Sequence, residues 1–232
     1  MSIYNREQRY LSLLSDRPYR VEELAARLFI SEPTVRRDIV AMKKKELIET
    51  QRGVVRLRPR AADARIPLFV REQEANDAKE HIARLAAAEV KEGDTLMLDA
   101  STTAYHLLPH IAKIPNVLII TNGAKTAIEA TMLGIRTITV GGEMTPESFS
   151  YVGCDAEDML DRYRADIAFF SCRGITEDGY VSDNSILGNA IRRKMMHRAK
   201  RSILLADRGK IGKSFLSILC HTDELSAVIT DA

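Results

Sequence analysis

Five stretches of this 232-residue chain carry the residue types from which a site for a small polar anion can be built. They are Asp99-Ala-Ser101-Thr102-Thr103, Thr121-Asn122-Gly123, Gly141-Gly142-Glu143, Ser171-Cys-Arg173-Gly174 and Ala206-Asp207-Arg-Gly-Lys210. Hydroxyls and main-chain N–H groups ahead of a helix suit an anion such as phosphate, and a lysine such as Lys210 adds a point charge to it. Asp99, Asn122, Glu143 and Asp207 have the acceptors and donors that sugar hydroxyls require. Singly, each stretch has a plainer use, since Ser-Thr-Thr caps a helix and Gly-Gly makes a turn. Their recurrence points to a polar, phosphorylated small ligand.

What must position these residues is legible in what precedes them. Each stretch follows directly on a short apolar run: Thr95–Leu98, Val117–Ile120, Arg136–Val140, Ile167–Phe170 and Ser202–Leu205, with a sixth run at Ala227–Ile229 closing the chain. Helical spacing fills the gaps, over 78–90, from Thr103 to about Ile111, up to Leu133, and over 187–199. Continuous β-branched runs joined by helical crossovers predict a largely parallel sheet covered on both faces. In such sheets, ligands sit in the crevice outside the carboxyl ends of the strands, where the five stretches fall.

The first 60 residues are different in charge and pattern. They hold 14 Lys and Arg against 8 Asp and Glu, a balance of +6, whereas residues 61–232 balance at −4. A basic head on a mildly acidic body is the electrostatic footprint of a nucleic-acid-binding module joined to something else. Ile3, Tyr10, Leu11 and Leu14 lie on one helical face, and Val21, Leu24, Ala25 and Leu28 follow the spacing of a second helix. Ser31 can cap a third, with Pro33 in its first turn, running from about Glu32 to Glu46. Val35, Ile39 and Met42 point one way on that helix, and Arg37, Val40 and Lys44 the other, flanked by Thr34, Arg36, Ala41 and Lys43. Two short helices with a basic outer face on the second match a helix-turn-helix, whose second helix enters the major groove. Ser31, Thr34, Arg36, Arg37, Lys43 and Lys44 are the candidate DNA contacts. Ile48–Leu57 reads as a hairpin, a wing whose tip places Arg52 beside the nucleic-acid backbone or minor groove. The alternative is a small three-helix domain with a solvated basic face. The boundaries expected are 1–58 for the head, 59–77 for a polar linker and 78–232 for the body.

Several functions are excluded or disfavoured. No apolar run reaches the roughly 18 residues that span a bilayer, so no membrane partner is expected, and the N-terminus lacks a signal-peptide layout. Cys154, Cys172 and Cys220 are odd in number and widely spaced, which reads as reduced thiols in a cytoplasm. His106 and His110 are four apart, but Pro109 intervenes and no third ligand is evident, so no metal is expected. There is no GxGxxG, GxxxxGK[ST] or GxSxG, and no cofactor is implied beyond the phosphorylated ligand. The cluster Arg192, Arg193, Lys194, Arg198, Lys200 and Arg201 reads as a solvated helix face that could line a subunit contact.

The runs Val21–Leu28 and Ile30-Ser-Glu-Pro-Thr-Val-Arg-Arg-Asp38 resemble the winged helix of the DeoR family of bacterial transcriptional regulators. Gly93–Thr103, Thr121-Asn122, Gly141-Gly142, Val152-Gly153, Ala165–Phe169, Leu205-Ala-Asp207 with Lys210, and Ile229-Thr-Asp231 resemble that family's effector domain, in the family's order. The resemblance implies a repressor of sugar or carbohydrate metabolism genes that binds a double-stranded DNA operator. It implies a sensor for a phosphorylated sugar, similar in fold to ribose-phosphate isomerase, and a protein working as a dimer or higher homo-oligomer. The chain departs from the family at the wing, Gln51–Arg56, and at Ser101, Arg173 and Arg208-Gly209, the pocket departures favouring an unusual or more anionic effector. Family members often run beyond this point, which makes Ala232 read as a trimmed terminus. The competing function is a sugar-phosphate isomerase with an accessory basic head, using Asp99 or Glu143 with Lys210 as acid and base. The basic head, and the lack of a carboxylate pair on one loop, favour the regulator.

Overall fold

The computed structural model describes residues 3–44, 47–51, 53–57 and 75–231. The chain divides into two compact units, Met1–Glu74 and Ala75–Ala232.

In the first unit, α1 (Ile3–Asp16), α2 (Val21–Leu28) and α3 (Glu32–Lys44) surround a core of Tyr10, Leu11, Leu14, Leu24, Leu28, Val35, Ile39 and Met42. These are the apolar positions that the helical spacing selects. Phe29 ends α2 in the left-handed conformation (φ 55°), and the N–H of Ile30 returns to the carbonyl of Ala25 at 3.1 Å. That C-cap arrangement turns the chain sharply into α3. Strands β2 (Ile48–Gln51) and β3 (Val54–Leu57) pair antiparallel with Gln51 opposite Val54, and β1 (Tyr19–Arg20) adds to β3. The two-residue turn between them needs Gly53 at φ +78°, a conformation glycine adopts freely. This hairpin is the wing. Its tip residue Arg52, the end of the third helix at Glu46 and residues 59–74 of the expected linker lie outside the described residues.

The second unit opens with α4 (Asn76–Ala87), which starts two residues before the sequence suggested. A six-stranded, wholly parallel sheet follows: β4 (Thr95–Leu98), β5 (Leu118–Thr121), β6 (Arg136–Thr139), β9 (Ala165–Ser171), β12 (Ala199–Leu205) and β14 (Ala227–Ile229). The order across the sheet is β14-β12-β9-β4-β5-β6. The chain winds outward from β4 through β5, helix α7 (Ala124–Met132) and β6, returns to β9 on the other side of β4, and winds outward again. Alternation along the strands splits the core in two. Leu96, Leu98, Ile167, Phe169, Ile203 and Leu205 pack on one face with Ile82 and Ala86 of α4. Met97, Ala168, Phe170 and Leu204 pack on the other with Leu160, Ile191 and Met195. Both faces are covered, which is why the strands read as unbroken apolar runs.

Several elements were not apparent in the sequence. The expected helix from Thr103 to Ile111 is two short pieces, α5 (Thr102–Tyr105) and α6 (Leu108–Ile111), because Pro109 has no N–H to continue the ladder. A hairpin of β7 (Glu143–Thr145) and β8 (Ser150–Val152) leads into α8 (Cys154–Asp161). A small antiparallel sheet, β10 (Gly174–Ile175), β11 (Tyr180–Asp183) and β13 (Ser217–His221), flanks α9 (Ile186–Arg198). Among the described residues no helix is long and apolar enough to cross a membrane, and no cluster of three potential metal ligands forms.

Candidate nucleic-acid interface and ligand site

On α3, burial follows the helical period. Val35, Ile39 and Met42 are buried, whereas Arg36, Arg37, Val40, Ala41, Lys43 and Lys44 are exposed. Three of the basic groups near this surface are engaged. Arg36 reaches Glu32 one turn back at 3.3 Å, Lys43 donates to Thr50 Oγ1 at 2.8 Å, and Arg6 pairs with Asp38 at 3.2 Å. Ser31 and Thr34 share a hydroxyl hydrogen bond of 2.9 Å at the start of the helix. For Arg37 and Lys44, no ion pair or hydrogen bond of the side chain occurs among the described residues. Exposed pairs such as Arg36–Glu32 stabilise by under about 1 kcal/mol. A phosphate therefore competes readily for Arg36, and meets no intramolecular rival at Arg37.

In the second unit the winding reverses between β4 and β9, so the crevice outside their carboxyl ends is the switch point where open α/β sheets bind ligands. The β4 loop supplies Asp99, Ser101, Thr102 and Thr103, all buried. Ser101 caps α5 by accepting from the N–H of Ala104 at 3.1 Å. Across the crevice, Lys210 Nζ donates to Ser171 Oγ at the end of β9 at 2.8 Å and lies 3.4 Å from Asp207. The Arg173 guanidinium, about 20% exposed, is 4.0 Å from Asp183, and no hydrogen bond of its side chain occurs among the described residues. On the neighbouring β5 loop, Asn122 donates from Nδ2 to the carbonyl of Tyr151 at 3.0 Å, and Thr121 Oγ1 accepts from the N–H of Gly123. Thr103 Oγ1 and Asn122 Oδ1 are buried without a partner among the described residues. Burying such an atom costs about 1–3 kcal/mol, which a ligand hydroxyl or water would relieve.

The structure revises the roles of several expected residues. The Asp99 carboxylate is turned inward. It accepts from the N–H of Ser101 at 3.1 Å and of Ser171 at 3.4 Å, and from Arg192 Nε at 2.8 Å. Glu143, with Gly141 and Gly142, is exposed at the far β6 side, and no hydrogen bond among the described residues joins it to this network. At Gly174 a Cβ would collide with the carbonyl oxygen of Lys213, so packing alone demands glycine there. Gly174→Ala should destabilise the protein by about 1–3 kcal/mol through overpacking, measured by denaturant unfolding.

The basic cluster on and after α9 is not a free surface. Lys194 and Arg198 both hold Asp161, Lys200 holds Asp166, Arg201 holds Glu89, and Arg193 donates to the carbonyls of Ile218 and Leu219. Arg192, its side chain 13% exposed, joins the Asp99 network at the switch point, a member the sequence did not reveal. Burial opposes its charge, but Asp183 and Asp99 outweigh that and raise its pKa further. Cys172 is buried beside this network and its thiol is pushed up to about 11, while Cys220 is pushed up to about 12, in both cases chiefly by burial. Both stay protonated near neutrality. Only the exposed Cys154 should react quickly with a thiol reagent such as Ellman's, and two further thiols should appear on unfolding.

A winged helix-turn-helix followed by a parallel α/β domain with a polar switch-point crevice defines a DNA-binding regulator with a sensor domain. Residues 6–59 match the DeoR-like helix-turn-helix domain and residues 74–232 the DeoR C-terminal sensor domain. The chain belongs to the DeoR family of transcriptional regulators. It is 32% identical to the HTH-type transcriptional regulator YulB of Bacillus subtilis, over 100% of this chain and 90% of that one. It is 30% identical to the HTH-type transcriptional repressor GlcR of the same species, over 90% and 81%. It is 29% identical to the L-fucose operon activator of Escherichia coli, over 94% and 90%. Among solved structures, eIF2B delta of Chaetomium thermophilum aligns over 71% of this chain and 59% of that one at TM-score 0.53 and 16% identity, a likeness of fold. Ribose 5-phosphate isomerase A of Methanocaldococcus jannaschii aligns over 59% and 54% at TM-score 0.45 and 19% identity. The protein is a regulator and not an enzyme, since its family and relatives are regulators carrying helix-turn-helix and sensor domains.

Proposed function

We propose that this regulator is a cytoplasmic repressor of carbohydrate-metabolism genes whose sensor domain takes a phosphorylated sugar in the crevice between the ends of β4 and β9. Residues 1–58 read the operator, 59–77 link, and 78–232 sense and oligomerise. The observation that carries the ligand reading is Lys210, mostly buried and hydrogen-bonded to Ser171 at the end of β9, the strand beside β4 at the switch point. Lys210 and Arg173 supply charge for the phosphate, and Ser101, Thr102 and Thr103 supply hydrogen bonds. Asn122, with a buried acceptor that lacks a protein partner, suits a sugar hydroxyl. GlcR, named a repressor, supports the direction of control. Symmetric operators would require at least a dimer, the arrangement by which helix-turn-helix proteins reach two half-sites.

Thermal unfolding against a panel of sugar phosphates and their unphosphorylated parents tests this. A ligand at 100 times its dissociation constant stabilises by about 2.7 kcal/mol, a melting shift of several degrees. One phosphosugar should shift the transition and its parent should not. Lys210→Ala should abolish that shift while leaving DNA affinity intact. A normal response in the variant would place the anion elsewhere.

A further inference from the structure

We infer that Arg192 is a positioning residue of the effector site, fixing the three loops around the anion although it lies behind them. Its side chain, 13% exposed, donates from Nε to Asp99 Oδ2 at 2.8 Å and from Nη1 to Asp183 Oδ2 at 3.1 Å and Asn189 Oδ1 at 3.0 Å. Each carboxylate so held organises a loop in turn. Asp99 accepts from the N–H groups of Ser101 on the β4 loop and Ser171 at the end of β9. Asp183 accepts from the N–H of Ser185 at 3.0 Å, on the turn into α9. A single guanidinium therefore joins elements 93 residues apart in the chain, on both sides of the switch point.

The link to the anion is short. Lys210 donates to Ser171 Oγ, Ser171 N–H donates to Asp99, and Arg192 donates to the same Asp99 oxygen. Arg192 thus sits behind Asp99 and Ser171, on the chain of hydrogen bonds that ends at Lys210. A guanidinium is suited to this post because its donors point in fixed, coplanar directions toward two acceptors at once, which an ammonium on a flexible stem cannot reproduce. Two carboxylates and one guanidinium, all mostly buried, make a poor stabilising device compared with apolar packing. Fixing the geometry of a polar site is a use that accounts for them.

The inference rests on the crevice being the effector site, and the test separates the two. The full chain and its Arg192→Lys variant, which keeps the positive charge, are compared by hydrogen exchange and by melting-shift titration with the phosphosugars. Arg192→Lys should exchange faster at Ser101 and Ser171 and their neighbours, with β5 and β6 unchanged. Its effector affinity should fall at least tenfold while its affinity for DNA stays within twofold. Uniformly faster exchange, or unchanged exchange at Ser101 and Ser171, would overturn the positioning role, as would an unchanged effector affinity. If the unsubstituted chain responds to no phosphosugar, the effector reading itself fails and Arg192 with it. If that chain responds and the variant also keeps full affinity, the effector reading stands and the role of Arg192 alone is refuted. Should Arg192→Lys not fold, Asp183→Asn, which removes one of the two carboxylates that hold the guanidinium, gives the same comparison: a tenfold loss of effector affinity is expected, and unchanged affinity overturns the role.

Discussion

Arg37→Ala is expected to weaken operator binding by about 5- to 150-fold while leaving the melting transition of the protein in place. That range corresponds to about 1–3 kcal/mol for losing one good base contact. The stability should not change because Arg37 is exposed on α3 and no side-chain partner among the described residues depends on it. Its neighbours on the inner face, Val35 and Ile39, hold the helix to the core without it. Fluorescence anisotropy across a series of salt concentrations also tells base from phosphate. Losing a phosphate contact would lower the salt slope by about 0.9, whereas losing a base contact would leave the slope and relax specificity. Unchanged affinity and slope would remove Arg37 from the interface.

Arg192→Ala is expected to give the largest loss of stability of any single polar substitution in the sensor domain, about 3–5 kcal/mol by chemical denaturation. The alanine leaves Asp99, only 2% exposed, and Asp183, 10% exposed, close together without their shared cation. Asp99 would keep its two main-chain donors, Ser101 and Ser171, which is why the loss does not reach the full cost of an isolated buried charge. Lys194→Ala, on the same helix, breaks only a pair with Asp161, which keeps Arg198, and should change stability by less than about 1 kcal/mol. Equal effects at the two positions would show that the crevice network is no more than surface pairing.

The contrast between those two residues also shows what the sequence can and cannot disclose. Arg192, Arg193 and Lys194 are consecutive on one helix, and residue type gives no reason to bury one of them. What buries Arg192 is the tertiary approach of Asp99 and Asp183, one of them 93 positions away. The parallel strands were legible because burial on both faces leaves continuous apolar runs, as at Thr95–Leu98 and Ile167–Phe170. The antiparallel pieces Gly174–Ile175 and Tyr180–Asp183 were not, since two to four residues cannot display a period. On α3 the alternation of Val35, Ile39 and Met42 with Arg37 and Lys44 carried enough turns to fix both faces. The polar residues at the strand ends could be recognised as a set, but not sorted. Asp99 proves to be turned inward, Glu143 lies at the far edge, and Gly174 answers to the backbone of Lys213.

On the proposed function, a phosphosugar held by the sensor domain changes how α3 holds DNA. By linkage, the ligand can alter DNA affinity only if it binds the DNA-competent and DNA-incompetent states unequally, and couplings of this kind are typically about 1–3 kcal/mol. The direct measurement is an anisotropy titration of the full chain onto an operator selected from a random duplex library, repeated with the phosphosugar that shifts the melting transition and with its unphosphorylated parent. The dissociation constant for DNA should change by about 5- to 150-fold with the phosphosugar and stay the same with the parent. An affinity for the selected operator that is the same with and without the phosphosugar would contradict it.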